Sequence, residues 1–248
     1  MLQFTKNLTK EYSSILIILF AVLFISLPFL SMPIYIDDIY ILTYAREILK
    51  DPLDPYGIKY TGEMTSYTGP PLLLYYAALV ITFFGESEIF LHIFYIIFTL
   101  MAGISMFFLS KKFSKLPLFA TLLMISTPIF VVMSNSLMQD VPVLAFLLTS
   151  LVLFIKGVDE NNWKLQFFGC FIAGITFFIK YNGMIIIPLI ITYSLLNKNF
   201  KSLKYLFITF LVISIVFAHN LLYYGSIHFF NAILPWLGST KSATGLVS

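Results

Sequence analysis

Charge is what this sequence has least of. Asp, Glu, Lys and Arg together make up 11% of its 248 residues, less than half the share of about 25% that an ordinary soluble domain carries. A chain so poor in charge cannot cover a globule with water-compatible groups, and a soluble fold is excluded. Cysteine is as scarce: Cys170 is alone and sits inside an apolar run, which removes any disulfide framework or cysteine-based metal cage. The basic residues form no dense cluster. Fifteen Lys and Arg against 12 Asp and Glu leave a net charge of +3 scattered over many loops, so nucleic-acid binding has no support. No Walker loop, GxSxG, HExxH or GxGxxG occurs, three scattered histidines make no zinc site, and nothing repeats at a fixed short period.

What is present is apolar. Residues of the hydrophobic class reach 59%, with 27 Phe and 15 Tyr, and the mean hydropathy is +0.93. The fold class this predicts is all-α, a polytopic membrane protein. A hydrocarbon layer of about 30 Å takes roughly 20 apolar residues in a helix. Cut on that ruler, the chain has seven spans, at 13–32, 88–109, 116–133, 141–155, 165–179, 183–196 and 205–223. The first is longer than a signal h-region and no A-x-A-like site follows it, so it reads as an uncleaved anchor. The one long polar insertion, 33–67, is where function is sought first.

The segment 70–84, PPLLLYYAALVITFF, is apolar but short, and reads either as an eighth span or as a helix lying along the interface. Basic residues arbitrate. With it interfacial and the N-terminus inside, ten of the fifteen Lys and Arg face the cytoplasm, Lys111, Lys112 and Lys115 among them. With it spanning, four do, and the KKFSK loop has to cross. The interfacial reading follows: seven spans, N-terminus cytoplasmic, multi-pass in the cell membrane. It also places nine of the twelve carboxylates outside, so the polar chemistry is expected on the extracytoplasmic face.

The segment IYIDDIYILTYAREILKDPLDPYG follows the first span. Residues 37–49 read as a surface helix, with an acidic pair suited to its first turn and Pro52 beyond its end. Ile41, Leu42, Ala45, Ile48 and Leu49 form its apolar stripe, with Arg46, Glu47 and Lys50 on a polar flank. Asp37 and Asp38 then stand at the membrane boundary. Taken alone they read equally as a helix cap and a solvated acid, and Asp140, before Val-Pro in the second outer loop, also reads as a cap. Lys180, at the junction of two spans, reads as a snorkelling lysine or as a phosphate contact. His219 and Asn220 are polar residues in an apolar run. The topology sets Asp37, Asp38, Asp140 and Lys180 on one face, where a carboxylate takes a hydroxyl proton and the lysine stabilises a departing lipid phosphate. The spans carry little ionisable content at their centres, which argues against a conduction path.

These residues resemble the N-terminal half of the GT-C glycosyltransferases, in particular the protein O-mannosyltransferase and aminoarabinose-transferase-like group that uses polyprenyl-phosphate sugars. In that group an Asp-Asp or Asp-Glu pair opens the first outer loop, before a surface helix with Tyr and Ala-Arg-Glu; here these are Asp37, Asp38, Tyr40, Tyr44, Ala45, Arg46 and Glu47. A Pro-Pro-Leu juxtamembrane helix ending in Phe-Gly-Glu corresponds to Pro70, Pro71 and Leu72 with Phe84, Gly85 and Glu86. An aspartate in the second outer loop matches Asp140. A lysine followed by an aromatic matches Lys180 and Tyr181, and an Asn before a Gly-containing turn matches Asn220 and Gly225. There are departures: Gly69 stands where many members have His or Lys, and Asp38 replaces the commoner Glu.

The resemblance implies one GT-C-like transmembrane domain over 1–248, with surface helices in an outer loop at 33–87. It implies inverting transfer from a polyprenyl-phosphate hexose or pentose to an acceptor protein or lipid, with Asp37 as catalytic base. Asp38 and Asp140 then position the acceptor or a cation, and Lys180 holds the lipid phosphate, helped by Arg46. Tyr44, Tyr181, His219 and Asn220 complete the expected substrate contacts. No soluble cofactor is implied; a divalent cation is compatible with the carboxylates, but no spacing demands one. Members of the group usually have more spans, and the final GSIHFFNAILPWLGSTKSATGLVS reads like the opening of another outer loop. A fragment, a split gene or a reduced form is therefore expected, and a non-catalytic lipid-binding or assembly subunit is the alternative reading.

Overall fold

A computed structural model describes residues 2–34, 37–57 and 69–232, with the side chains of 2–10 and of Asp37 outside the description. Every element among the described residues is helical, and there is no strand. α1 is Leu2–Ser26, α2 Asp37–Lys50, α3 Leu72–Phe84, α4 Glu88–Phe113, α5 Pro117–Ile125 and α6 Pro128–Ser134. α7 follows as Asp140–Asp159, α8 as Trp163–Ile179, α9 as Ile186–Leu196 and α10 as Leu206–Tyr224. Short 3₁₀ turns precede α9, at Tyr181–Ile185, and α10, at Phe200–Tyr205.

All seven expected apolar segments are helical, but fewer than seven qualify as spans. By length and composition four do: Glu11–Phe29, Glu88–Phe113, Asp140–Asp159 and Phe200–Tyr224. A fifth appears if α5 and α6 count as one broken span, bent by 65°. The bend has a local cause. Pro128 opens α6 and holds Thr127 extended, at φ −66° and ψ 136°, because a proline disfavours the helical region in the residue before it. The hydroxyls of Ser126 and Thr127 donate to the carbonyls of Leu123 and Met124, at 3.1 and 2.8 Å, so the interrupted ladder is partly closed by side chains. The remaining two, α8 with 17 residues and Tyr181–Leu196, are shorter apolar helices, separated by an extended Lys180 at φ −154° and ψ 136°. Hydropathy counts apolar residues. It does not register where the backbone leaves the helix between them.

The expected surface helix is present as α2, with Ile41, Leu42, Tyr44, Ala45 and Ile48 buried and Arg46 and Lys50 exposed. Leu49, assigned to the apolar stripe, is 45% exposed. α3 spans 13 residues, about 20 Å at 1.5 Å per residue, too short to cross a bilayer unaided. It packs against α2 and α4.

Small residues let the central helices touch. A Cβ added at Gly157 meets the backbone N of Gln166 at 2.6 Å, and one at Gly169 meets the backbone N of Phe154 at 2.8 Å, so α7 and α8 lie backbone to backbone. At Gly174, α8 takes the Val212 side chain of α10, whose Cβ stands 2.6 Å from where a Cβ would be. Lipid gives no hydrophobic drive to helix pairing, and such interfaces depend on close packing and hydrogen bonds across them. Those bonds are there: Ser150 Oγ donates to the Gly169 carbonyl at 2.8 Å, Gln166 Nε2 to the Gly157 carbonyl at 2.9 Å, and Thr209 Oγ1 to the Cys170 carbonyl at 2.8 Å. Gly169→Val should therefore lower the thermal unfolding midpoint of the purified protein in detergent, by roughly the 1–3 kcal/mol of an overpacked core; an unchanged midpoint would mean that α7 and α8 do not meet there.

Candidate functional site

α7 runs from Asp140 to Asp159, and ion pairs mark its two ends. Lys180 Nζ lies 2.7 Å from Asp140 Oδ1 at one end, and Lys112 Nζ lies 2.6 Å from Asp159 Oδ2 at the other. The first pair joins the α6–α7 turn to the break after α8. Lys180 is free to reach Asp140 because it closes α8 in an extended conformation instead of continuing the helix. Both side chains stay partly open, at 32% and 41% exposure, so the pair remains accessible to a ligand.

Asp38 belongs to the same end. It is buried, and its Oδ1 accepts the backbone N–H of Leu137 at 3.0 Å, which ties the first turn of α2 to the turn that carries Asp140. Asn135 makes a second tie, donating from Nδ2 to the carbonyls of Ile25 at 3.0 Å and Val131 at 2.8 Å. A third comes from α4, where His92 Nε2 lies 3.2 Å from the Met32 carbonyl. Asp37 opens α2 immediately before Asp38, with its side chain outside the described residues. Folding thus brings positions 38, 140 and 180 to one end of the helices, with Asp38 embedded and the Asp140–Lys180 pair open.

Arg46 is engaged elsewhere. Its guanidinium forms a two-pronged pair with Glu86, the Nε to Oε2 bond measuring 2.8 Å and the other running from Nη2 to Oε1. The Glu86 carboxyl is held below the usual carboxylate range by the hydrogen bond from Arg46, and Arg46 is raised by the same bond. The pair borders a cavity of about 510 Å³ shared with Ile34, Ile39, Leu42 and Glu88. Tyr44, another expected contact, is buried against Gly57 and faces the core.

Tyr181 leads to a cluster that composition did not disclose. Its hydroxyl is 2.6 Å from His228 Nδ1, and the His228 ring stacks on Tyr56 at 4.0 Å and 7°. Tyr224 donates to Asp54 Oδ1 at 2.8 Å and packs on Tyr56 at 5.6 Å. Asp54, Tyr56, His228 and Asn220 are all buried. Burial pushes the Tyr56 phenol up to about 12, against the opposing hydrogen-bonding influence of Tyr181 and Asn220. His219 stacks on Tyr223 at 5.7 Å. The loop after α2 is thereby bound to the end of α10. His228 carried no signal in the sequence, and Asp54 and Tyr56 were not singled out there; the DPLDPYG run, the most Pro- and Asp-rich stretch of the first loop, is the signal that could have found them.

An apolar groove of about 400 Å³ is lined by Leu72, Tyr75 and Tyr76 of α3, Phe98 of α4, Phe146 of α7 and Ile179 of α8. Ile179 immediately precedes Lys180 in the chain, and neither Lys180 nor Asp140 is among the lining residues. Among the described residues no group of three or more His, Cys, Asp or Glu gathers to hold a metal ion.

The family described as dolichyl-phosphate-mannose-protein mannosyltransferase matches residues 68–223, more than half of the chain. The match takes in α3 through most of α10, and with them the groove, Glu86, Asp140 and Lys180. No curated protein matches the chain, and no solved structure does.

Two outcomes follow from this geometry. Asp38→Ala leaves the buried Leu137 N–H without an acceptor and should cost about 1–3 kcal/mol; Asp38→Asn keeps an acceptor oxygen and should cost less, as read by the unfolding midpoint. The Arg46–Glu86 pair should contribute at neutral pH, where the depressed Glu86 group is ionised, and lose that contribution as pH falls from the usual carboxylate range through its lowered value. Both side chains are substantially exposed, so the effect is at most about 1 kcal/mol. Glu86→Gln should accordingly narrow the difference in midpoint between pH 7 and pH 3, and an unaltered difference would discount the pair.

Proposed function

Because the chain belongs to the dolichyl-phosphate-mannose-protein mannosyltransferase family, and is thus a membrane glycosyltransferase, we propose that it moves a sugar from a polyprenyl-phosphate donor to an acceptor hydroxyl at the extracytoplasmic face. The observation that carries this reading is the open Lys180–Asp140 pair, in a chain whose apolar groove is lined by Ile179, the residue before that lysine. A polyprenyl phosphate has a long apolar tail joined to an anion. The groove suits the tail nearest the head, and Lys180 suits the phosphate, with Asp140 holding the ammonium in place and the phosphate oxygens competing for its protons.

The reaction is a single displacement. The acceptor oxygen attacks the anomeric carbon, the bond from that carbon to the phosphate oxygen breaks, and polyprenyl phosphate leaves with the electron pair. Attack from the side opposite the leaving group inverts the anomeric configuration. The hydroxyl proton passes to a carboxylate acting as general base, assigned here to Asp37 at the start of α2. Asp38 acts as a positioning residue, since its bond to Leu137 fixes α2 against the turn that carries Asp140. The positive charge of Lys180 offsets the charge that grows on the departing phosphate. Tyr181, His219 and the buried Asn220 are assigned to the acceptor protein or lipid.

The test is release of polyprenyl phosphate from a panel of polyprenyl-phosphate hexoses and pentoses by the full chain in lipid. Wild type should release it. Asp37→Asn should reduce turnover by about 10²–10⁴-fold with donor binding retained, and Lys180→Gln should weaken donor binding. Equal turnover by wild type and Asp37→Asn would remove the proposed base; donor binding with no release by either would favour a lipid-binding subunit instead.

A further inference from the structure

The end of the molecule opposite Lys180 carries a second cleft. It lies between residues 11 and 14 of α1, the end of α4 and the start of α5, has a volume of about 650 Å³, and is lined by Glu11, Phe107, Lys111, Lys115, Phe119 and Leu122 among others. The 20 residues of α7 separate the two ends, about 30 Å at 1.5 Å per residue, so this cleft shares nothing with the Asp140–Lys180 pair.

Its chemistry is divided. Phe107, Leu118, Phe119 and Leu122 give it apolar walls, and Phe113, Leu116 and Phe119 are each more than 60% exposed around it. Two ammonium groups and one carboxylate stand at its rim. Lys111 is engaged by Glu11 at 2.6 Å and also lies over the Phe108 ring, 5.5 Å from its centroid. Lys112, one residue away, turns from the cleft to pair with Asp159. Lys115 makes no ion pair among the described residues and is exposed. The rim therefore keeps one uncompensated positive charge, at the ends of two helices long and apolar enough to cross a membrane.

A cation left over at the hydrocarbon boundary, above an apolar cleft of ligand size, complements a molecule with an anionic head and an acyl tail. We propose that this cleft binds one anionic glycerophospholipid, its phosphate on Lys115 with help from Lys111 and one acyl chain against Phe107, Phe119 and Leu122. Exposed lysines near a membrane surface attract anionic lipid generally. The apolar cleft adds a fixed place for the chain, and so predicts retention of one lipid where a diffuse surface charge predicts none.

The proposal is tested on the full chain, stripped in excess detergent, given equal amounts of phosphatidylglycerol and phosphatidylcholine, and weighed by native mass spectrometry. Wild type should retain one phosphatidylglycerol in preference to phosphatidylcholine. Lys115→Glu should lower that preference about tenfold, and Lys115→Gln should fall between the two. Lys201→Glu, at an exposed lysine outside the cleft, should leave it unchanged. Unfolding midpoints identify any variant that has failed to fold. Unaltered preference in both Lys115 variants, or an equal loss in Lys201→Glu, would overturn the proposal.

Discussion

Hydrocarbon offers the backbone no hydrogen bonds, and the rest of this structure depends on that constraint. Each peptide group inside the membrane has to be satisfied by protein, and a helix does so within its own segment. Irregular backbone is then tolerated only where side chains or neighbouring helices take up its donors and acceptors. The break at Thr127 is closed by two hydroxyls. The break at Lys180 still receives its own N–H bond to the Thr176 carbonyl at 3.2 Å, and Gly183 bonds back to the Lys180 carbonyl at 2.8 Å.

Ionisable groups concentrate toward the helix ends, and there, with Asn135, they do two kinds of work. Asp38, Asn135 and His92 are buried and spend their hydrogen-bonding capacity on backbone groups of neighbouring segments. Asp140 and Lys180 are half open and bonded to each other. The embedded residues fix the turns; the open pair stands on the frame they make. This division also explains why only a few of the acidic residues suit chemistry with a substrate, although most were expected on one face.

Arg46 shows how a motif residue takes a place that its spacing does not reveal. On the helical wheel it belongs to the polar flank of α2, and the wheel is right: it is exposed. Its partner is Glu86, forty positions away at the turn between α3 and α4. The bond fastens the surface helix to the short apolar helix that walls the groove. Tyr44, on the same helix, points to the opposite side and is buried. Two residues of one motif thus serve different faces.

Local pattern alone determined the helical class, the amphipathic α2 and the short, proline-led α3. Periodicity and apolar length are properties of neighbouring residues, and the constraint of the bilayer turns them directly into helices. The sequence also marked Asp38, Asp140 and Lys180 as residues worth placing. Tertiary structure decided the rest: that α5 and α6 bend by 65°, that α7 and α8 touch at Gly157 and Gly169, that Asp38 is embedded while Lys180 meets Asp140, and that Asp54, Tyr56 and His228 form one buried cluster. Those pairings join residues from nine positions apart, Gly157 with Gln166, to 172, Tyr56 with His228. Their partners are fixed by how helices pack and where the backbone breaks, which no window along the chain contains.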